Sequence, residues 1–261
     1  NVTSLVMSDG AIFNNLATKT INALGTSSGF VLGGGATPVL NNQGNLLRSA
    51  AGNFAINGVQ FNNTGTVNVT AGTLQVINGP AGQYTQTGAP SLTQVNGGNV
   101  TVSTQLLLLG GTVGGVSTVT GGVYNAGGIV RPGNSAGILT FTGTYVQGAN
   151  PAALNIEIGG TTPGTAANQH DQLSVTGAPG TATLAGTLNV TLINSFVPAV
   201  GDSFTILTSI GARTGTFATT NLPTLAGKAW NTPTYNANSV VLSVVAVAGT
   251  ITFNNLGGDN L

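Results

Sequence analysis

From Ala51 to Ile129 the chain carries no Asp, Glu, Lys or Arg, and its apolar residues alternate with polar ones between short turns. Phe54 and Ile56 form one such pair, followed by Val59 and Phe61, Val67 and Val69, and Leu74 and Val76. One intervening residue is the period of a strand with one buried face. Between the pairs stand Asn57-Gly58, Asn62 to Gly65 and Ala71-Gly72, where Asn and Gly accept positive φ at little cost. Strand and turn at this tempo suit a coil of a β-solenoid as well as a meander. The uncharged outward positions favour the coil, because stacked rungs place like over like, and Thr or Asn ladders attract where charge ladders repel.

The same texture bounds function. The whole chain of 261 residues has five basic and five acidic side chains, one histidine, no cysteine and 41 glycines. Lys19, Arg48, Arg131, Arg213 and Lys228 are scattered, which argues against nucleic acid as a partner. A formal net charge of zero removes the repulsion that keeps copies apart in solution. The absence of cysteine excludes disulfides and thiolate metal sites. No apolar run reaches the ~20 residues of a helical membrane span, and Val240 to Ala248 is about half that. Asn1 opens the chain and Met7 is its one methionine, as expected of an excised piece of a longer product whose leader is gone.

Along the chain, Leu5 to Ile12 and Gly29 to Leu32 read as strands, and Leu16 to Leu24 as a strand or a single helical turn. Val100 and Val102, then Val113, Val116 and Val119, continue the alternation, and the run Leu106 to Leu109 reads as a rung buried on both faces. After Gly128 the strands lengthen: Ile138 to Val146, Leu154 to Ile158, Thr183 to Leu192, Ser203 to Leu207 and Val240 to Val247. Four parts are expected: 1–50 as an N-terminal strand and loop segment, 51–130 as the solenoid body, 131–247 as a C-terminal β module, and 248–261 as a terminal strand.

The segment 128–137 (GIVRPGNSAG), with Leu139, Phe141 and Tyr145 to Gln147 behind it, resembles the closing portion of autotransporter-type passengers of bacterial surface proteins. Leu154 to Glu157, His170 to Leu173, Leu184 to Leu188 and Gly201 to Leu207 follow in the order that family shows. The resemblance covers roughly residues 120 to 247. It implies an all-β fold, a right-handed β-solenoid (β-helix) body with a C-terminal autochaperone-like capping module. Thr250 to Leu261 is similar to the opening of a further repeat module, and Phe13-Asn14-Asn15-Leu16 recurs as Phe253-Asn254-Asn255-Leu256.

Chemistry finds little footing. Gly133-Asn134-Ser135-Ala136-Gly137 has the G-x-S-x-G spacing of a nucleophile elbow, but Pro132 precedes it and a strand, not a helix, follows. The preferred reading is a turn, with Gly133 and Gly137 at positive φ. His170 and Asp171, with Glu157, suggest an acid–base pair; neighbours on a strand face opposite ways, so Asp171 is read as a turn ligand. Asp202 and Asp259 stand alone, short of the several carboxylates calcium needs. Trp230 with Tyr235 would suit sugar stacking, yet a lone Trp near Pro233 reads as a core edge. No catalytic, cofactor or metal residue is assigned. The expected function is an extracellular, non-enzymatic structural component of the bacterial surface or matrix. Its partners are copies of itself or neighbouring repeat modules, meeting through Leu5, Val6, Ile12, Phe13, Ile251 and Phe253. The alternatives are a monomeric passenger adhesin for host or surface carbohydrate targets and, less favoured, a β-helical glycan-processing enzyme.

Overall fold

The computed structural model describes residues 4–80 and 83–247, and all regular structure among them is strand. The strands come in successive turns of the chain. These are β1 (Ser4–Ser8), β2 (Ile12–Asn15) and β3 (Thr20–Asn22); β4 (Ser27–Gly34), β5 (Val39–Asn42) and β6 (Asn45–Arg48); then β7 (Asn53–Asn57), β8 (Gln60–Asn63) and β9 (Thr66–Val69). There follow β10 (Thr73–Ile77), β11 (Tyr84–Gln86) and β12 (Leu92–Val95); then β13 (Asn99–Leu108) with β14 (Thr112–Gly115), and β15 (Thr118–Asn125) with β16 (Ile129–Pro132). The next turns are β17 (Ile138–Thr142), β18 (Tyr145–Gln147) and β19 (Ala153–Ile158); β20 (Gln172–Thr176), β21 (Ala182–Leu184) and β22 (Thr187–Leu192); and β23 (Ser203–Ser209), β24 (Arg213–Gly215) and β25 (Thr219–Asn221). Last come β26 (Lys228–Trp230), β27 (Thr234–Tyr235) and β28 (Ser239–Ala246).

Each strand pairs in parallel with its counterpart one turn on. On a first face β1 pairs with β4, β4 with β7 and β7 with β10. On a second, β2 pairs with β5, β5 with β8 and β8 with β11. On a third, β3, β6, β9, β12, β14, β16, β19, β22 and β25 form a nine-stranded sheet. The strands β13 and β15 are long enough to serve the first and second faces together, Val100 lying beside Leu74 and Leu106 beside Tyr84. The result is an all-β, β-solenoid-like stack of long parallel sheets.

The alternation read from the sequence supplies its core. Phe54, Ile56, Phe61, Val67, Val69, Leu74 and Val76 all point inward and are buried. Pairing runs on through Arg131, which lies beside Gly114, and remains parallel as far as β25. Apart from single bridges at Gly115–Gly133 and Ile158–His170, the antiparallel pairing among the described residues is at the end, where β28 lies along β23, β26 and β27.

Three local expectations are corrected. The four leucines are not buried on both faces: Leu106 and Leu108 are inside, Leu107 is half-buried and Leu109 is 45% exposed, as simple alternation requires. Ile138 to Val146 and Thr183 to Leu192 are each two strands, divided at Gly143 and at Gly186, whose φ of 140° and 61° turn the chain from one face to the next. At Leu16 to Leu24, where strand and helical turn were both open, the strand reading holds: β3 forms there, with a turn before it.

Val119 sits between Val100 and Phe141 on the first face, with no charge opposite it. Val119→Asp is therefore expected to cost about 3 kcal/mol or more, since the carboxylate meets only apolar neighbours. The outward Thr120→Ser should stay within about 0.5 kcal/mol. Chemical denaturation of the two variants checks both.

Candidate functional site

His170 and Asp171, singled out in the sequence as a possible acid–base pair, are both held by backbone contacts. Ser135 is exposed on its turn, whereas His170 is fully buried. The His170 ring stands edge-on to Phe204, with Nδ1 3.0 Å from the Gly160 carbonyl and Nε2 3.3 Å from that of Thr205. Both ring nitrogens thus face backbone, leaving neither for a serine. Burial pulls the His170 pKa below its ordinary value, against the pull of those carbonyls.

Asp171 is also fully buried, and it is a turn ligand. Its Oδ1 accepts the Gly137 N–H at 2.7 Å and its Oδ2 the Glu157 N–H at 2.8 Å, tying the turn before β17 to β19. Desolvation nevertheless dominates and pushes its pKa from 3.8 up to about 8. In the 133–137 turn Gly133 has φ of 76°, as expected. Gly137 does not hold positive φ; its constraint is space, because a Cβ there would lie 2.5 Å from the Gly133 Cα and 2.7 Å from Val116 Cγ1.

Trp230 is half-buried at the edge of the core, donating from Nε1 to the Pro223 carbonyl with its ring 5.8 Å from Phe204. Asp202 Oδ2 accepts the Ala199 N–H in a local turn. Among the described residues no three His, Cys, Asp or Glu side chains gather where a metal could bind. Likewise, no helix there is long and apolar enough to cross a membrane.

Two polar features inside the stack carry no obvious sequence signal. Arg48 is fully buried with no acidic partner; its Nη1 donates to the carbonyls of Ala23 and Gly25 and its Nη2 to that of Ala51, at 2.5–2.7 Å. It holds the links on either side of its own turn, and burial lowers its pKa. The second is a column of buried amides at the corner where the second face ends. Asn15 Nδ2 donates to Asn42 Oδ1, Asn42 Nδ2 to Asn63 Oδ1, and Asn63 Nδ2 to Gln86 Oε1, at 2.7–3.1 Å. Each amide also donates across the corner, to the carbonyls of Asn45, Thr66, Leu92 and Thr112 respectively. Asn125 and Gln147 resume the column further on.

Among the described residues the column and the ladders run back to the first turn. Among the described residues β1 pairs only with β4, β2 only with β5 and β3 only with β6, so each has one unpaired edge. Of the residues expected to mediate association, Leu5, Val6 and Ile12 are 44%, 63% and 64% exposed, and Phe13 is half-buried against Phe30. Leu5 and Phe13 border an open cavity of about 820 Å³ that Phe30 and Phe54 also line. Ile251 and Phe253 lie outside the described residues. No family model matches the chain, and no curated protein matches it by sequence.

The burial of Asp171 sets a pH dependence. Between 3.8 and about 8 the folded state holds a proton that the unfolded chain releases, so stability is full at low pH and falls as pH rises through this window. From pH 7 to 8, where His170 is mostly neutral in both states, this contribution should give a falling slope of roughly 1 kcal/mol per pH unit. Asp171→Asn should flatten it while costing roughly 1–3 kcal/mol, since the amide Nδ2 carries hydrogens where a carboxyl oxygen accepts the Gly137 or Glu157 N–H. Denaturant titrations across that range measure both.

Proposed function

We propose that this chain is an extracellular, non-enzymatic structural protein of a bacterial surface or matrix. In this reading it is a right-handed β-helix that joins end to end with copies of itself or with neighbouring modules. The C-terminal module, 131–247, is read as the cap of this β-helix, and the antiparallel pairing of β28 with β23, β26 and β27 supports that reading. The observation that carries the proposal is the contrast between the two ends. Among the described residues β28 lies antiparallel along β23, while β1, β2 and β3 each pair on one side, beside exposed Leu5, Val6 and Ile12. A free parallel edge with an apolar rim is a template for another strand. The absence of charge from Ala51 to Ile129 supports a structural over a catalytic surface, since glycan-processing grooves need clustered carboxylates.

Because few charges take part, association should hardly respond to salt. Light scattering on the full chain is expected to show mass rising with protein concentration, with the midpoint moving less than about twofold between 0.05 and 0.5 M salt. Thr252→Pro should abolish the rise while leaving the circular dichroism of the body unchanged, because proline removes a ladder donor. A monomer at every concentration and salt would instead favour a passenger adhesin acting alone.

A further inference from the structure

The corner between the first and second faces is not uniform along the stack. Two neighbouring corners are tight: Gly121-Gly122 divides β15 between the two faces, and Gly143-Thr144 joins β17 to β18. The corners on either side of them are longer. Between paired residues β13 takes two residues more than β15, from Thr101 to Gln105 against Thr120 to Gly122. The link from β20 to β21 takes three more than that from β17 to β18, from Thr176 to Ala182 against Thr142 to Tyr145. The extra residues make two exposed rims, Ser103 and Thr104 on one side and Ala178 and Pro179 on the other. With the tight corners between them they line an open recess of about 600 Å³.

The chemistry of this recess is of one kind. No residue that lines it is charged, and Gly121, Gly122 and Gly143 contribute no side chain. Some of its polar groups are already engaged: Ser103 Oγ accepts the Asn78 N–H at 3.1 Å, and the Thr142 and Thr144 hydroxyls meet those of Thr176 and Thr181 at 3.4 Å. Thr104, Gln105 and Thr120 make no side-chain hydrogen bond to the described residues. A hydroxyl and a carboxamide each both give and accept. The ring of Pro179 adds a carbon surface at the far rim. A sugar offers the matching set, hydroxyls that both give and accept around a ring with C–H faces and no charge. An acidic ligand would meet no Lys or Arg here, and a cation no carboxylate.

We propose that this recess binds a neutral oligosaccharide, one or two sugar rings lying between the rims. The rims stand three ladder steps apart, about 14 Å. The volume falls within the roughly 300–1,000 Å³ of small-molecule sites. Thr104 and Gln105 bond sugar hydroxyls from one rim and Thr120 from a tight corner, while Pro179 packs against a ring face from the other. The site lies wholly between residues 103 and 179, so it stands whether or not the ends of the stack associate. It gives a structural chain a means of holding glycan along its side.

Gly122 allows the recess to be filled without disturbing the strand. It does not hold positive φ, and a Cβ there would meet the Thr104 carbonyl oxygen at 3.4 Å and Gln105 Cγ at 3.8 Å, both ordinary contacts. The full chain, 15N-labelled, is titrated with cellobiose, maltose, lactose, mannobiose and N,N′-diacetylchitobiose, and with digalacturonic acid as the acidic probe. The expected result is saturable shifts of the Thr104, Gln105, Gly122 and Thr144 amides with at least one neutral disaccharide, and none with the acid. Gly122→Val should weaken that binding at least about tenfold by occupying the space, with circular dichroism unchanged. Gln105→Ala should weaken it about threefold or more through the lost hydrogen bonds. Gln75→Ala, which removes an outward amide from the first face beside Ala55 and Thr101, should bind as the parent does. No shift with any neutral disaccharide, undiminished binding by Gly122→Val and Gln105→Ala, or equally tight binding of the acid would overturn the proposal. Shifts at these amides that grow with protein concentration alone would overturn it too, by assigning the recess to a second copy.

Discussion

In-register parallel pairing between one turn and the next is the constraint on which everything else in this molecule depends. A parallel ladder places residue over equivalent residue, so any property of a position is repeated at the strand spacing along the stack. Apolar positions become a continuous core, from Phe54, Ile56 and Leu74 to Leu139, Leu173 and Phe204. Polar positions become columns, and only groups that bond to their own kind are stable in a column. Asn meets that condition and a carboxylate does not. The scarcity of charge is thus a consequence of the architecture.

The same constraint explains the buried polar groups. A corner between faces leaves backbone carbonyls that no neighbouring strand can serve. The amides from Asn15 to Gln86 serve them while bonding one another, and Arg48 does so with a guanidinium where the links at Gly25 and Ala51 crowd together. Asp171 supplies the opposite need, accepting the N–H groups of Gly137 and Glu157. These are stabilising uses of residue types that in a cleft would be read as catalytic.

Strand, turn and inward-facing positions from Ala51 to Val76 were legible in the alternation, because hydrophobic burial follows the period of the strand, whereas Val116, read as continuing it, is 39% exposed. The column was not. Counting Asn as polar assigns both members of Asn14-Asn15 to the surface, whereas the pleat sends one of them inward. The signal was present as a spacing: Phe13 to Asn15, Leu40 to Asn42, Phe61 to Asn63 and Tyr84 to Gln86 each place an amide two residues after a core side chain, on the same face. Leu106 to Leu109 misled in the opposite direction, since Leu109 is apolar at a position that the pleat exposes. Gly137 was assigned to a turn correctly but for a reason of φ, when close packing against Val116 is the constraint.

The central claim is an in-register stack with an amide column inside it. Side-chain carboxamide NMR on selectively 15N-Asn-labelled protein tests this most directly. The account predicts that the amides of Asn42 and Asn63 exchange with solvent at least about a hundredfold more slowly than that of exposed Asn14, in keeping with their burial. It also predicts cross-peaks linking Asn15 to Asn42 and Asn42 to Asn63. Fast, uniform exchange at all four residues, with no contact between successive amides, would contradict the register and the fold built on it.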